Sequence, residues 1–153
     1  MRRILTFLIL FIGLISYCQT NVEQRDPINQ NDYEFLLMSN NSAIRISKYK
    51  SSTINEISLI LKTEADACNP NSGIILILNS GEKLSFENIK VSCSESETKK
   101  YNLTGSLILT SELYNKLSKS EIKEFILGNT KVPVIYKEKG ENLRALFKFS
   151  EEY

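Results

Sequence analysis

The sequence contains no histidine and no tryptophan, and its 153 residues include only three cysteines and three prolines. Aspartate occurs at only three positions, Asp26, Asp32 and Asp66. Without histidine, the chain cannot form a histidine-based nucleophilic triad or a histidine-based metal centre. These absences exclude many of the usual catalytic arrangements, and we expect no cofactor and no metal site.

The sequence also lacks an excess of charge of either sign. It has 19 basic and 18 acidic residues, and they are scattered. After the amino terminus, adjacent like charges occur only at residues 99–100 and 151–152. A nucleic-acid-binding protein is expected to carry a basic stripe or patch. The charge pattern therefore predicts that no nucleic acid is a partner.

The amino terminus has the pattern of an export signal. Arg2 and Arg3 precede an apolar run over residues 4–15, and small residues stand at Ser16 and Cys18 before Gln19. This pattern predicts a secretory signal peptide over residues 1–18. The run is shorter than the roughly 20 apolar residues of a membrane-spanning helix. We therefore expect an exported protein, periplasmic or extracellular.

An alternative interpretation makes Cys18 a lipid-bearing cysteine at the start of a mature bacterial lipoprotein. Tyr17 stands where that signal requires a small residue, so cleavage between Cys18 and Gln19 is the preferred interpretation. Only a lipid on Cys18 would give the chain a membrane as a partner.

The most distinctive stretch of the body is a predicted hairpin over residues 73–86. Five consecutive aliphatic residues, 74–78, favour a strand that is buried on both faces. Asn79 and Gly81 tolerate positive φ and predict a turn after this strand. An exposed edge strand of this composition would promote aggregation, so we expect the strand in the middle of a sheet.

Two cysteines, Cys68 and Cys93, flank this hairpin. If Cys18 is removed with the signal, the exported chain keeps an even number of cysteines, and we predict that Cys68 and Cys93 form a disulfide. A redox pair is usually spaced Cys-x-x-Cys, and a zinc site would need further ligands. The alternative of a redox or metal site is therefore disfavoured.

The rest of the chain predicts a mainly β (α+β) fold. Residues 19–32 are polar and predict a flexible leader, and residues 33–153 predict one β-rich domain. Thr110 is a candidate N-cap for one short helix near residues 110–119. The alternation of Leu143, Ala145, Phe147 and Phe149 predicts a half-buried strand. Further strands are predicted over 33–38, 43–49, 54–63, 101–109, 122–127 and 132–137.

This pattern is typical of an antiparallel barrel or sandwich of about eight strands with one helical insertion. One strand order is an up-down-up meander of the strand ending near Thr63 and the two strands of the central hairpin. It requires a loop or a bulge to close the gap of about 9.5 Å between strands separated by one neighbour to the roughly 7 Å that a disulfide allows; otherwise the order is not a simple meander. Pro133 removes a backbone donor and places its strand at an edge.

The signal and the body together resemble proteins of one bacterial group. Residues 14–19 resemble the export signals of Bacteroidetes proteins, where a small residue followed by Gln is common at the cleavage site. The body, with two cysteines around a hairpin, then a short helix and residues 122–128, is similar to uncharacterised small exported proteins of that group. The resemblance implies an exported location. It implies no activity and no functional residue.

No combination of the remaining reactive residues predicts a catalytic site. Paired carboxylates could hydrolyse glycosides if they faced each other across a cleft, and Ser-Lys catalysis would require a Ser next to a Lys. The candidates have the positions of solvated residues on loops or exposed strand faces. They are Glu64, Glu82, Glu87, Glu124, Glu141, Ser47 with Lys48, and Ser118 with Lys119.

The sequence therefore favours a non-enzymatic, exported β-domain that acts as a binding or accessory module of the cell envelope. Its candidate partners are an envelope protein or a glycan, and exposed aromatic residues such as Tyr33, Tyr49 and Tyr153 could contribute to binding. One alternative is a hydrolase that uses carboxylates or a Ser/Lys pair. Another is a proteinaceous inhibitor with a protruding loop over residues 94–100 or 137–142.

Overall fold

The computed structural model describes residues 29–38, 41–50, 55–137 and 142–152. The predicted signal peptide and Cys18 lie outside the described residues. Within these ranges the chain forms nine β-strands and two α-helices. In chain order they are β1 (Asn29–Leu37), β2 (Ala43–Lys50), β3 (Asn55–Ala65), β4 (Ile74–Leu78), β5 (Lys83–Phe86), β6 (Ser92–Glu95), β7 (Tyr101–Ile108), α1 (Ser111–Leu117), β8 (Ile122–Leu127), β9 (Thr130–Pro133) and α2 (Leu143–Glu152).

The strands form two antiparallel sheets that pack as a sandwich. One sheet has the order β1-β2-β3-β7-β6 and the other has the order β5-β4-β8-β9. The predicted β-rich sandwich is confirmed, whereas the described strands do not close into a barrel. The strand β1 begins at Asn29, so the last four residues of the predicted leader belong to a strand. No helix in the described ranges is long and apolar enough to cross a bilayer.

The core lies between the two sheets and is built from alternate residues of their strands. Leu59 and Leu61 of β3, and Leu103 and Leu107 of β7, are almost completely buried. Gly105 of β7 faces the second sheet, and a Cβ atom at this position would lie 2.7 Å from Ile74 Cδ1 and 2.8 Å from Leu127 Cδ2. Side chains of the β4-containing sheet therefore pack directly against the β7 backbone.

The central hairpin occupies the predicted place in its sheet. Strand β4 lies between β5 and β8, so the prediction of an interior strand is confirmed. The prediction of burial on both faces is wrong, because Ile75 and Ile77 are only half-buried. Lys83 lies directly opposite Ile77 on β5. The aliphatic part of a lysine side chain covers apolar neighbours while the ammonium stays in water. This explains why the outer face of β4 needs no further layer of structure at Ile77.

The predicted meander is wrong because β3 and β4 belong to different sheets. The neighbours of β3 are β2 and β7. The loop over residues 66–73 carries the chain from one sheet to the other. A change of sheet between two strands leaves no signal in the alternation of either strand, and this is why the meander was expected.

Helix α1 has the predicted position and the predicted cap. The Thr110 hydroxyl accepts a hydrogen bond from the Leu113 N–H at 3.3 Å, Glu112 lies in the first turn and Lys116 in the last. Leu113 and Leu117 are buried. The apolar stripe of this short helix therefore packs into the core, as a two-turn helix requires.

Residues 143–152 form a helix, so the predicted strand over 143–149 is wrong. Leu143, Leu146 and Phe147 are buried, whereas Ala145 is exposed. This burial follows the helical spacing of three and four residues. The helix, α2, contacts β1 and β2, and the Phe147 ring lies 4.9 Å from the ring of Tyr114 in α1.

Two side chains explain why α2 begins where it does. The Asn142 side-chain oxygen accepts a hydrogen bond from the Ala145 N–H at 2.7 Å. The Glu121 carboxylate accepts from the Leu143 N–H at 2.8 Å and from the Arg144 N–H at 3.3 Å. Unpaired N–H groups at a helix start need such acceptors, and one of the acceptors comes from a distant part of the chain.

The edge strand β9 is shorter than predicted. It spans Thr130–Pro133 and pairs only with β8 within its sheet, so the edge position expected from Pro133 is confirmed. Gly128 and Asn129 have φ angles of 53° and 76°. Positive φ at both positions is the requirement of a tight two-residue hairpin turn.

Candidate functional site

The two cysteines predicted to pair are joined in the structure. Cys68 lies in the loop over residues 66–73 and Cys93 lies in β6, and their Cα atoms are 6.1 Å apart. Strand β7 stands between β3 and β6, so the loop after β3 must cross β7 to reach Cys93. The Val91 N–H also donates to the Pro70 carbonyl oxygen at 3.0 Å. This pair fastens a corner of the fold and forms no reactive site.

The glutamates weighed as catalytic candidates have partners or face solvent. Glu82 Oε1 lies 2.9 Å from Lys116 Nζ, and Glu124 Oε1 lies 3.2 Å from Lys131 Nζ. The hydrogen bond that the Lys116 ammonium donates to Glu82, followed by the negative charge of Glu82, raises the pKa of Lys116. Glu87 is exposed, and Glu141 lies outside the described residues. Carboxylate–ammonium pairs do not supply the two facing acids of a glycosidase.

The Ser-Lys candidates are not arranged for catalysis. The Ser118 hydroxyl donates to the Tyr114 carbonyl oxygen at 2.7 Å and closes the end of α1, while Lys119 is exposed. Ser47 and Lys48 are consecutive residues of β2, and consecutive strand residues point to opposite faces. In neither pair do the serine hydroxyl and the lysine amine lie side by side on one face of the fold.

The tyrosines whose side chains the structure describes are partly buried. Tyr101, Tyr114 and Tyr136 pack against the core. Tyr49 is half-buried, and the side chains of Tyr33 and Tyr153 lie outside the described ones. The described tyrosines therefore form no exposed aromatic cluster.

A polar groove lies where β2 begins, β3 ends and β7 begins. Its volume is about 520 Å³, which is in the range of small-molecule sites. We define the polar groove by six lining residues, Lys62, Glu64, Ser94, Asn102, Thr104 and Lys137. Four of these side chains are neutral or basic hydrogen-bond donors on one sheet face, which makes the groove the strongest candidate site in the described part of the chain.

Strand register brings the groove residues together from three strands. Glu64 is paired with Asn102, and Asn102 is paired with Ser94, so these residues form one row across β3, β7 and β6. Lys62 is paired with Thr104 in the neighbouring row. Directly opposed side chains on adjacent strands have Cβ atoms about 4.5–5.5 Å apart. The polar groups of the two rows therefore face the same space.

Beside these rows the groove meets a buried pair of hydroxyl groups. The Ser42 and Thr63 hydroxyl oxygens lie 2.8 Å apart and share a hydrogen bond, and both residues are buried. Met38 and Leu103, which also line the groove, have no exposed surface. A ligand in the groove would therefore meet polar and apolar atoms in similar measure, and the apolar atoms come from Ala43 and from the carbon stems of the described polar residues.

The charges of the groove are not balanced. Lys62 is half-buried and Lys137 is exposed, and neither ammonium group has an ion-pair partner among the described residues. Among the described lining residues Glu64 is the only carboxylate, and its Oε2 accepts a hydrogen bond from the Asn41 side-chain amide at 3.4 Å. Two cationic groups against one carboxylate favour a ligand with an anionic or electron-rich group.

A second depression is less suited to specific recognition. It has a volume of about 420 Å³ and is lined by Ile57, Leu109, Ser111, Tyr114 and Asn115. None of these five side chains is charged. Among the described residues no group of three or more Cys, Asp and Glu is placed to hold a metal ion.

No protein-family model, no curated protein and no solved structure matches this chain. The geometry of the polar groove is therefore the basis for proposing a function. Of its residues, the sequence offers Glu64 as a catalytic candidate, and Ser94 and Lys137 as the first residues of the two candidate inhibitor loops. Lys62, Asn102 and Thr104 occupy alternate strand positions that the sequence shows, but their mutual register is not readable from it.

Proposed function

We propose that this chain is a small, exported, non-enzymatic binding module of the cell envelope and that it binds a polar ligand in the polar groove. The observation that carries the proposal is Lys62. It is half-buried and has no ion-pair partner among the described residues. Its stem packs along the groove while its ammonium group keeps its charge available, so a bound acceptor could pair with it.

Export is supported by two independent features. The first is the amino-terminal pattern of residues 1–18, which resembles Bacteroidetes export signals. The second is the Cys68–Cys93 disulfide, because disulfides persist in oxidising compartments outside the cytoplasm. The proposed location is the periplasm or the outside of the cell. Anchoring to a membrane through a lipid on Cys18 is the less favoured alternative.

The other candidate functions have less support. The described glutamates considered for hydrolysis have cationic partners, an amide partner or exposure to solvent. For an inhibitor, the predicted wedge at residues 94–100 begins inside β6 and ends in a tight turn, in which the Ser96 N–H donates to the Lys100 carbonyl oxygen at 2.8 Å. Ser94 of this segment already belongs to the polar groove.

The binding proposal is tested by NMR on the ¹⁵N-labelled protein purified after export. The probes are D-glucose, N-acetyl-D-glucosamine, sodium D-glucuronate and diglycine, each added at millimolar concentration. We expect at least one probe to shift the amide resonances of Lys62, Asn102 and Thr104, and we expect no chemical change of any probe over hours.

Two variants identify the site. Asn102→Leu removes an exposed groove amide and is expected to weaken binding, whereas Lys83→Gln removes an exposed lysine outside the groove and is expected to change nothing. Failure of all four probes to shift groove resonances would overturn the proposal. Shifts that are unchanged in Asn102→Leu would overturn it as well, and conversion of a probe would establish an enzyme.

A further inference from the structure

We infer that the polar groove recognises an acidic sugar of the hexuronate class, with the sugar carboxylate on Lys62 and its hydroxyl groups on the row formed by Ser94 and Asn102. This inference rests on the proposed binding function and names the ligand class for the same groove. It is carried by the charge of the described groove residues and by the type of their hydrogen-bonding groups.

The charge of the groove selects for an anion. Lys62 and Lys137 stand against Glu64, which is already engaged by the Asn41 amide. Lys62 is the more confined of the two lysines because it is half-buried, while Lys137 is exposed. Lys62 also stands directly opposite Thr104 in the sheet. A carboxylate that enters the groove is therefore assigned to Lys62, with the neutral groups of the groove beside it.

The neutral groups of the groove match sugar hydroxyls. Serine and threonine hydroxyls both donate and accept hydrogen bonds. An asparagine side chain has a donor and an acceptor in the same planar amide group. Ser94, Asn102 and Thr104 provide such groups on the adjacent strands β6 and β7. Neighbouring strands are about 4.8 Å apart, so several hydroxyls of one ring can be met at once.

The lining disfavours other ligand classes. Met38 and Leu103 have no exposed surface, so the larger apolar side chains of the described lining offer no pocket for a lipid chain. None of the described lining residues is aromatic, so they give a neutral sugar no stacking surface of the kind that aromatic rings provide. Discrimination between acidic and neutral sugars must therefore come from charge. Added salt must weaken this discrimination.

The inference is tested by titrating the purified protein with sodium D-glucuronate and with D-glucose, which differ in the oxidation state of one carbon. We expect D-glucuronate to bind at least tenfold more tightly, with shifts at Lys62 and Thr104, and 1 M NaCl to remove most of this preference. Lys62→Gln is expected to bind both sugars equally. Lys83→Gln, which removes an exposed lysine from the other sheet, is expected to keep the preference.

Further arms separate the inference from the proposed function. Equal binding of D-glucose and D-glucuronate in the groove would overturn the acidic class and leave the binding function intact. Equal binding of acetate and D-glucuronate would overturn the sugar class. Absence of groove shifts with every probe would overturn both proposals. Tighter binding of trigalacturonate than of D-galacturonate would identify a polymer as the source of the acidic sugar, and equal binding would identify the free sugar.

Discussion

At the scale of single residues, two glycines with positive φ play different parts. Gly73 has φ of 71° and Gly81 has φ of 87°. A Cβ atom on Gly73 would lie 2.6 Å from the Phe86 carbonyl oxygen and 2.9 Å from Glu87 Cα, whereas a Cβ atom on Gly81 would meet nothing within 4 Å. At both positions the left-handed backbone conformation disfavours a Cβ atom. Only at Gly73 would a Cβ atom also clash with backbone atoms.

This difference predicts unequal effects of alanine at the two glycines. Gly81→Ala is expected to lower the free energy of unfolding by about 1–2 kcal/mol, the cost of a left-handed conformation for a residue with a Cβ atom. Gly73→Ala adds overpacking of about 1–3 kcal/mol against atoms that cannot rotate away. Urea unfolding of both variants measures the difference, and equal losses would contradict the clash.

The polar groove could be predicted from the sequence only in part. The sequence of β3 places Lys62 and Glu64 on one face, and that of β7 places Asn102 and Thr104 on one face. Which of these residues stand opposite one another depends on strand register. The chain between β3 and β7 contains three other strands, so no hairpin turn fixes that register. The groove could not be assembled from local pattern alone.

At the scale of elements, the error over residues 143–149 has a clear physical origin. Leu143, Ala145 and Phe147 alternate as a strand would, yet Leu146 is buried and Ala145 is exposed. A seven-residue segment with five apolar residues fits both periods. The helix is selected by the Asn142 cap, by the Glu121 carboxylate and by a core surface on β1 and β2. Only the first of these lies next to the segment in the sequence.

The two interpretations of this segment give opposite predictions for two substitutions. In the helix, Leu146→Asp places a carboxylate in the core and is expected to lower the free energy of unfolding by at least about 3 kcal/mol. Ala145→Asp stays in water and is expected to change it by less than about 1 kcal/mol. A strand would reverse this order, and thermal or urea unfolding of the two variants decides between them.

Other elements were predictable because their signals are local. The Thr110 cap of α1, the turn at Gly128 and Asn129, and the alternation of β7 each depend on residues within one segment. The aliphatic run of β4 correctly predicted an interior strand. It did not predict the half-burial of Ile75 and Ile77, because their neighbours on the adjacent strand, Ser85 and Lys83, are set by pairing between segments.

At the scale of the whole molecule, the sandwich class follows from the count and the spacing of strands, but the assignment of strands to sheets does not. Strands β3 and β4 are consecutive and lie in opposite layers, and β7 enters between β3 and β6. The loop over residues 66–73 makes this crossing. It contacts the rest of the fold through Cys68, through the Pro70 carbonyl and through Asn69, whose carbonyl oxygen packs against Gly128.

Removal of the disulfide therefore tests how the two layers are joined. The Cys68→Ser, Cys93→Ser variant loses a cross-link between positions separated by 25 residues, and the loop-entropy relation gives a loss of about 3–4 kcal/mol in the free energy of unfolding. The native fold is expected to persist, because the Val91–Pro70 hydrogen bond and the Asn69–Gly128 contact still hold the crossing loop.

The measurement is urea unfolding of the wild-type protein and the double variant, with and without reductant, together with amide spectra of both. We expect reductant to lower the stability of the wild type to that of the variant and to leave the variant unchanged. Spectral changes should be confined to residues near the crossing loop and β6. Changes spread through β4 and β8 would contradict this, because they would mean that the disulfide orders the second sheet in the native state rather than restricting the unfolded chain.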